Sequence, residues 1–324
     1  MKALICKKYG SPEDLVIKEV QSLEPQDDQV IIDVKACGLN FPDTLIIQGK
    51  YQFQPELPFS PGGEVSGIIK KVGESVENLK LGDRVISGTS WGGFAEEAAA
   101  FASNTFVIPD EMPFDLAAGS LMTYGTSYHA LVDRAHLQQG ETLLVLGAAG
   151  GVGTAAIQIG KLLGARVIAA ASNEEKLGYC KTLGADEVLN YSNEDLKLRA
   201  KELTDGRGVD VVFDPVGGGH TEQAFRACAW GGRHLVVGFA EGQIPKIPLN
   251  LPLLKSASLV GVFWGGLFRN HPEQNRKNIE QLLEWFQSGK LKTQIHKKYR
   301  LEETALAMRE LMDRKVRGKI IVNN

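Results

Sequence analysis

Cysteine is scarce. Only Cys6, Cys37, Cys180 and Cys228 occur, scattered and without a C-x-x-C pair. That spacing excludes a disulfide framework and points to a reducing compartment, so a cytoplasmic location is expected. Long apolar runs are also missing, and nothing approaches the roughly 20 residues of a membrane span. Neither sign of charge dominates. A formal charge of −3 gives no general electrostatic reason to bind nucleic acid or an anionic membrane. The stretch from Met1 to Tyr9 has no signal-peptide core and reads as a first strand. Internal repeats and low-complexity tracts are absent. The remaining composition, 43% hydrophobic and 23% charged, is that of an ordinary folded chain. At 324 residues it exceeds what one core usually organises, so two domains are expected.

What the chain does contain is a glycine-rich turn between two apolar elements. Thr142-Leu-Leu-Val-Leu146 is a short apolar run of the kind a fully buried parallel strand shows. After the turn, Val152, Ala155, Ala156, Ile159 and Leu163 recur at helical spacing. The turn reads as a dinucleotide fingerprint, Ala148-x-Gly150-x-x-Gly153, with alanine in place of the first glycine. Gly150 lets the backbone approach a pyrophosphate, and Gly153 lets the helix pack close to the strand. Orphan N–H groups and the dipole at the helix start hold the negative charge. Ala149, Gly150, Gly151, Val152 and Gly153 are therefore the candidate phosphate contacts. Gly164-Ala165 leads into a second apolar strand, Arg166 to Ala171, which completes a βαβ unit.

The end of that second strand selects the nucleotide. NAD sites usually place Asp or Glu there, against the ribose 2′-OH. Here the position is Ser172, and Lys176 follows within a turn. A hydroxyl and a cation suit a 2′-phosphate, so NADPH is the expected cofactor.

The first 110 residues read as many short strands separated by turn residues, which suits a small closed or partly open β-barrel. Among these strands are Ala3–Cys6, Val30–Ala36 and Phe94–Ala99. Pro113 to Arg134 reads as helical with a break at Tyr124-Gly125. Strands and helices alternate from 142 to about 265, as in an open parallel sheet wound on both faces. From Pro272 two helices and a final strand, Lys319–Val322, are expected to return to the barrel.

Cys37-Gly-Leu-Asn-Phe-Pro-Asp43, Gly62-Gly-Glu-Val-Ser-Gly67, Gly82-Asp-Arg-Val85, Thr123-Tyr-Gly-Thr126, Gly184-Ala-Asp and Asp214-Pro-Val-Gly-Gly218 accompany the glycine turn. With them the chain resembles, over essentially its whole length, the medium-chain dehydrogenase/reductase superfamily. Its zinc-free quinone oxidoreductase branch, of zeta-crystallin type, is the nearest match. The resemblance implies an α/β fold: a GroES-like β-barrel catalytic domain (1–120 and 266–324) plus a doubly wound Rossmann domain (121–265). The superfamily's alcohol dehydrogenases hold catalytic zinc with a Cys and a His-Glu pair. Here Cys37 is present, but the second segment reads Gly62-Gly63-Glu64. Without the histidine no tetrahedral N/S site can be assembled, and no metal is expected. Cys37 then reads as a small buried side chain.

The resemblance further implies a metal-free pocket between the domains, with Asn40, Asp43 and Tyr51 on the barrel side. Asn40 is expected to bond nicotinamide ribose and substrate, and Tyr51 to act as a proton donor or gate. A second tyrosine found in some relatives is Leu45 here. Thr126 is expected against nicotinamide, Val216, Phe239 and Phe263 around its ring, and Tyr191 with Lys176 at the adenosine phosphate. His129, His136 and His220 have neither metal nor catalytic spacing. The implied reaction is hydride transfer from NADPH to a small-molecule quinone or enone, in a protein expected to form a homodimer. An enoyl-thioester or alkenal reductase is the nearest alternative. A non-enzymatic crystallin-like or RNA-binding role is the other, and the acidic balance argues against RNA.

Overall fold

Strand Gln29–Leu39 is the spine of the first unit in the computed structural model, which describes residues 1–324. It pairs antiparallel with Glu64–Val72, Glu97–Phe101 and Lys319–Asn323. The sheet continues outward to Arg84–Gly88 and Thr105–Val107 on one side, and to Ile295–Arg300 on the other. Alternate residues of a strand face opposite sides, so Val30, Ile32 and Val34 share one core with Val65, Ile69, Val85 and Phe94. Ile320 and Val322 of the last strand join that core. The chain's end is thereby built into the barrel's centre. The first strand forms as Lys2–Ile5 and pairs with Val16–Glu19 as a two-stranded sheet, which a single bridge from Ala3 to Ala95 ties to the larger one.

Contacts divide the chain into Met1–Met122 with Asn275–Asn324, and Thr123–Gln274. The second unit is a six-stranded parallel sheet. Its order is Glu187–Asn190, Arg166–Ala171, Thr142–Val145, Val209–Asp214, Cys228–Val236, Ser258–Gly261. Numbered from Thr142–Val145, that is 3-2-1-4-5-6. The order reverses between Thr142–Val145 and Val209–Asp214, and doubly wound sheets bind ligands beyond the strand ends at such a switch point. The apolar run at 142–146 is fully buried, as expected of a strand covered on both faces.

Several elements differ from the sequence reading. The helical stretch breaks at Gly119-Ser120, between Phe114–Ala118 and Leu121–Tyr128, and not at Tyr124-Gly125. Gly125 lies inside the helix, and its missing side chain makes room for the Trp264 indole; a Cβ there would lie 2.6 Å from Cζ2. The strand expected at Phe94–Ala99 runs from Glu97 to Phe101. Helices Phe41–Ile46, Asn250–Lys255 and Trp264–Asn270 and strand Ile295–Arg300 are additional. The helices have seven residues or fewer, too short for helical periodicity to register, and Ile295–Arg300 has only two apolar residues, Ile295 and Tyr299.

Candidate active site

Asn40 and Asp43 sit at the start of helix Phe41–Ile46, where strand Gln29–Leu39 ends. The Asp43 carboxylate reaches back over the first turn and accepts the Asn40 backbone N–H at 2.7 Å. Its other oxygen accepts the Gly62 N–H at 3.2 Å. Asp43 is only 3% exposed. Burial pushes its carboxyl up to about 7, against the pull of the Asn40 N–H and the Lys319 charge. Tyr51 is half-buried, packs edge-on to Phe53 and contacts the barrel core. Burial, and then the charge of Asp43, raise its phenol above the ordinary range.

Two residues the sequence reading did not assign complete this cluster. Lys319, from the last strand, donates to Leu39 O at 2.9 Å and Asn40 Oδ1 at 2.7 Å. It also pairs with Glu64 at 2.9 Å. Glu64 accepts the Met122 N–H at 2.6 Å, and burial raises its carboxyl. The available signal was a lysine opening the apolar run Ile320-Ile-Val322, a charge where a strand enters a core.

These residues do not fit a zinc ion. Gly63 stands where the imidazole would be, and a Cβ there would already lie 3.3 Å from Ser90 O and 3.4 Å from Met122 Cε. Glu64 is engaged by Lys319, and burial holds the Cys37 thiol well above its ordinary range. No group of three His, Cys, Asp or Glu side chains is arranged to hold a metal.

The second unit carries the remaining candidate cofactor residues. Gly150 caps helix Gly151–Leu162, so the N–H groups of Gly151, Val152 and Gly153 open the helix without intrahelical partners. A Cβ on Gly150 would meet only Gly147 O, at 3.3 Å. A Cβ on Gly153 would lie 2.5 Å from Gly147 O and 2.7 Å from Ala148 Cα. Gly153 thus permits the turn itself, while Gly150 leaves its outer side open. Ala149 is buried beneath the turn. The Ser127 hydroxyl donates to Val152 O at 2.9 Å, tying the helix that bears half-buried Thr126 to this turn.

At the neighbouring strand end, Asn190 pairs with Ala171, and the Tyr191 N–H donates to Ala171 O. Ser172 and Tyr191 therefore leave adjacent strands side by side. Lys176 follows in the first turn of helix Glu174–Thr182, its N–H held by the Asn173 side chain at 2.9 Å. The Glu174 carboxylate accepts the Asn190 amide at 2.8 Å. On the far side of the switch point, the Val216 and Gly217 N–H groups bond Asp214. Val216 packs against the glycine turn, its Cγ2 only 2.9 Å from where a Gly147 Cβ would be. Phe239 borders a cavity of about 260 Å³ lined by Asp214, Val236, Ile247 and Leu259. Phe239 and Phe263 are 37% and 45% exposed, so neither is a core residue. His129 bonds Asp133, and the His220 ring packs on Tyr191.

The family profile described as alcohol dehydrogenase GroES-like domain matches residues 26–110. That described as zinc-binding dehydrogenase matches 151–288, from the last residues of the glycine turn onward. A quinone oxidoreductase-like protein 2 homolog of Nematostella vectensis is 40% identical, over 99% of this chain and 88% of its own length. Human quinone oxidoreductase is 34% identical, over 95% of this chain and 92% of its own. The Escherichia coli quinone oxidoreductase, solved in complex with NADPH, superposes with a TM-score of 0.94 at 29% identity, covering all of both chains.

Proposed function

The chain belongs to the quinone oxidoreductase branch of the medium-chain dehydrogenase/reductase superfamily, and from that premise we propose that it is an NADPH-dependent, metal-free quinone reductase. The observation that carries this is the open glycine cradle at the switch point, beside a strand end bearing Ser172, Tyr191 and Lys176 instead of a carboxylate. NADPH, when bound, supplies the hydride. Gly151, Val152 and Gly153 hold its pyrophosphate through backbone N–H groups, and Ser172, Lys176 and Tyr191 hold its 2′-phosphate. Thr126, Val216, Phe239 and Phe263 enclose the nicotinamide end and keep water away from it.

Reduction of a quinone also consumes a proton, and the carbonyl oxygen carries negative charge until that proton arrives. Asp43 stores a proton close to neutral pH. The Tyr51 phenol, raised above its ordinary range, stays protonated and donates a hydrogen bond to the oxygen. Asn40, with Oδ1 held toward Lys319, serves the nicotinamide ribose as a hydrogen-bond acceptor. Steady-state assays with NADPH should show turnover of quinones well above that of crotonyl-type thioesters. Preference for the thioester would assign the chain to double-bond reduction instead.

Lys176→Ala tests cofactor choice. A lysine bonded to a phosphate is worth roughly 1.5–3 kcal/mol, or about one to two decades in affinity. The apparent KM for NADPH should rise by that factor, with kcat and the KM for NADH nearly unchanged. Equal loss for both cofactors would overturn the 2′-phosphate assignment.

No helix is long and apolar enough to cross a membrane. All four cysteines are buried free thiols, which supports a cytoplasmic setting. A homodimer is supported by the sheet's edge. Strand Ser258–Gly261 has a neighbour on one side only and is largely exposed. Leu249, Leu253 and Leu254 beside it in sequence are 81%, 77% and 67% exposed. Such an apolar edge favours pairing with a second copy. Leu253→Glu with Leu254→Glu should halve the mass measured by light scattering; a wild-type monomer at micromolar concentration would rule the dimer out.

A further inference from the structure

Asp43, Glu64 and Lys319 are two carboxylates and one ammonium, each at most 4% exposed. Lys319 pairs directly with Glu64, and Asp43 is held by two backbone N–H groups instead of a cation. Lys319 also grips Leu39 O and Asn40 Oδ1, and so fixes the segment whose N–H is bonded to Asp43 Oδ2. Gly38 keeps this arrangement possible, since a Cβ there would lie 2.3 Å from Glu64 Oε1. The other titratable groups facing Asp43 are the Cys37 thiol, from the central strand, and Tyr51, from the segment after the helix. Both are neutral at physiological pH, so the variable charges on Asp43 come from Lys319 and Glu64.

We infer that Lys319 and Glu64 are positioning residues of opposite sign for Asp43. The ammonium favours the charged carboxylate, Glu64 favours the protonated form, and Lys319 holds the backbone donor in place. Interactions between buried charges are weakly screened, so each is felt at Asp43 without touching substrate. Burial raises the Asp43 carboxyl, and the balance of the two charges leaves it loaded with a proton yet able to release it near neutrality. The inference rests on the proposed quinone reduction for its kinetic meaning. Its electrostatic content concerns the resting protein alone.

The test compares Lys319→Met, Glu64→Gln and the double variant with the intact protein. Two quantities are followed against pH: kcat/KM for a quinone with NADPH, and the infrared band of the protonated Asp43 carboxyl in cofactor-free protein. The band is identified by its loss in Asp43→Asn. Lys319→Met should move the midpoint of both curves up by roughly one pH unit, the scale of a nearby charge. Glu64→Gln should move both down, and the double variant should return close to wild type. The double variant removes both members of the buried Lys319–Glu64 pair and strands neither, so it remains informative if Lys319→Met folds poorly. A purely structural role would lower rates without opposite shifts. Midpoints that stay fixed, or move the same way in both single variants, overturn the inference. Absence of quinone turnover in wild type overturns the function instead, and the infrared titration still decides the role of Lys319.

Discussion

Gly150→Val should raise the dissociation constant of NADPH by roughly 100-fold, because branched carbons in a close-packed contact cost up to about 3 kcal/mol. The structure separates this effect from misfolding. Gly150 has φ −76° and ψ 171°, a conformation any residue adopts, so no backbone strain follows. Its Cβ would meet one neighbour, Gly147 O at 3.3 Å. The added methyl groups would instead fill the open side of the turn, where a pyrophosphate must touch backbone N–H groups. Thermal unfolding of the variant should stay within about 4 °C of wild type, the shift expected from roughly 1 kcal/mol in a domain of this size. Gly153→Val provides the contrast. Its Cβ would lie 2.5 Å from Gly147 O and 2.7 Å from Ala148 Cα, so the turn itself must open. That variant should lose both stability and cofactor binding. Unchanged NADPH fluorescence titration in Gly150→Val would show that the phosphate binds elsewhere.

The second large effect belongs to Asp43. With its carboxyl at about 7, the protonated form predominates below neutrality and is depleted above it. If this proton reaches the substrate oxygen, kcat/KM falls about tenfold per pH unit on the alkaline side of that midpoint. Asp43→Asn should remove that limb and lower the plateau by about 100-fold or more, the scale of general acid catalysis. The stability sign can be checked independently. The folded-state value lies above that of an unfolded aspartate, so the folded protein binds this proton more tightly. The resulting stabilisation is full below the ordinary carboxylate range and is lost as pH rises through about 7. Wild type should therefore lose stability between pH 5 and 8 relative to Asp43→Asn. The variant also pays a fixed cost, because one backbone donor, Asn40 or Gly62 N–H, then faces an amide N–H. A pH–rate profile unaltered by Asp43→Asn would remove Asp43 from the chemistry.

The sequence by itself determined the nucleotide half of this protein. Thr142–Leu146, the glycine turn and the following helix are contiguous, and each obeys a local rule: burial without alternation, missing Cβ atoms, helical spacing. Ser172 and Lys176 could be read for the same reason, since they follow their strand directly. The loss of the metal-binding histidine at Gly63 was likewise visible in the chain. Only tertiary structure decided the cluster of Asp43, Glu64 and Lys319. Lys319 is 279 residues from Asn40, and they meet because Ile320 pairs with Leu39 in an antiparallel register. A lysine at the head of an apolar strand reads equally well as a solvated end or a buried charge. Burial is what moves the Asp43 carboxyl to about 7, and no local pattern specifies burial among strands distant in sequence. The reason for a glycine at 125 was hidden in the same way, because the Trp264 indole that takes the space of a side chain arrives from another helix.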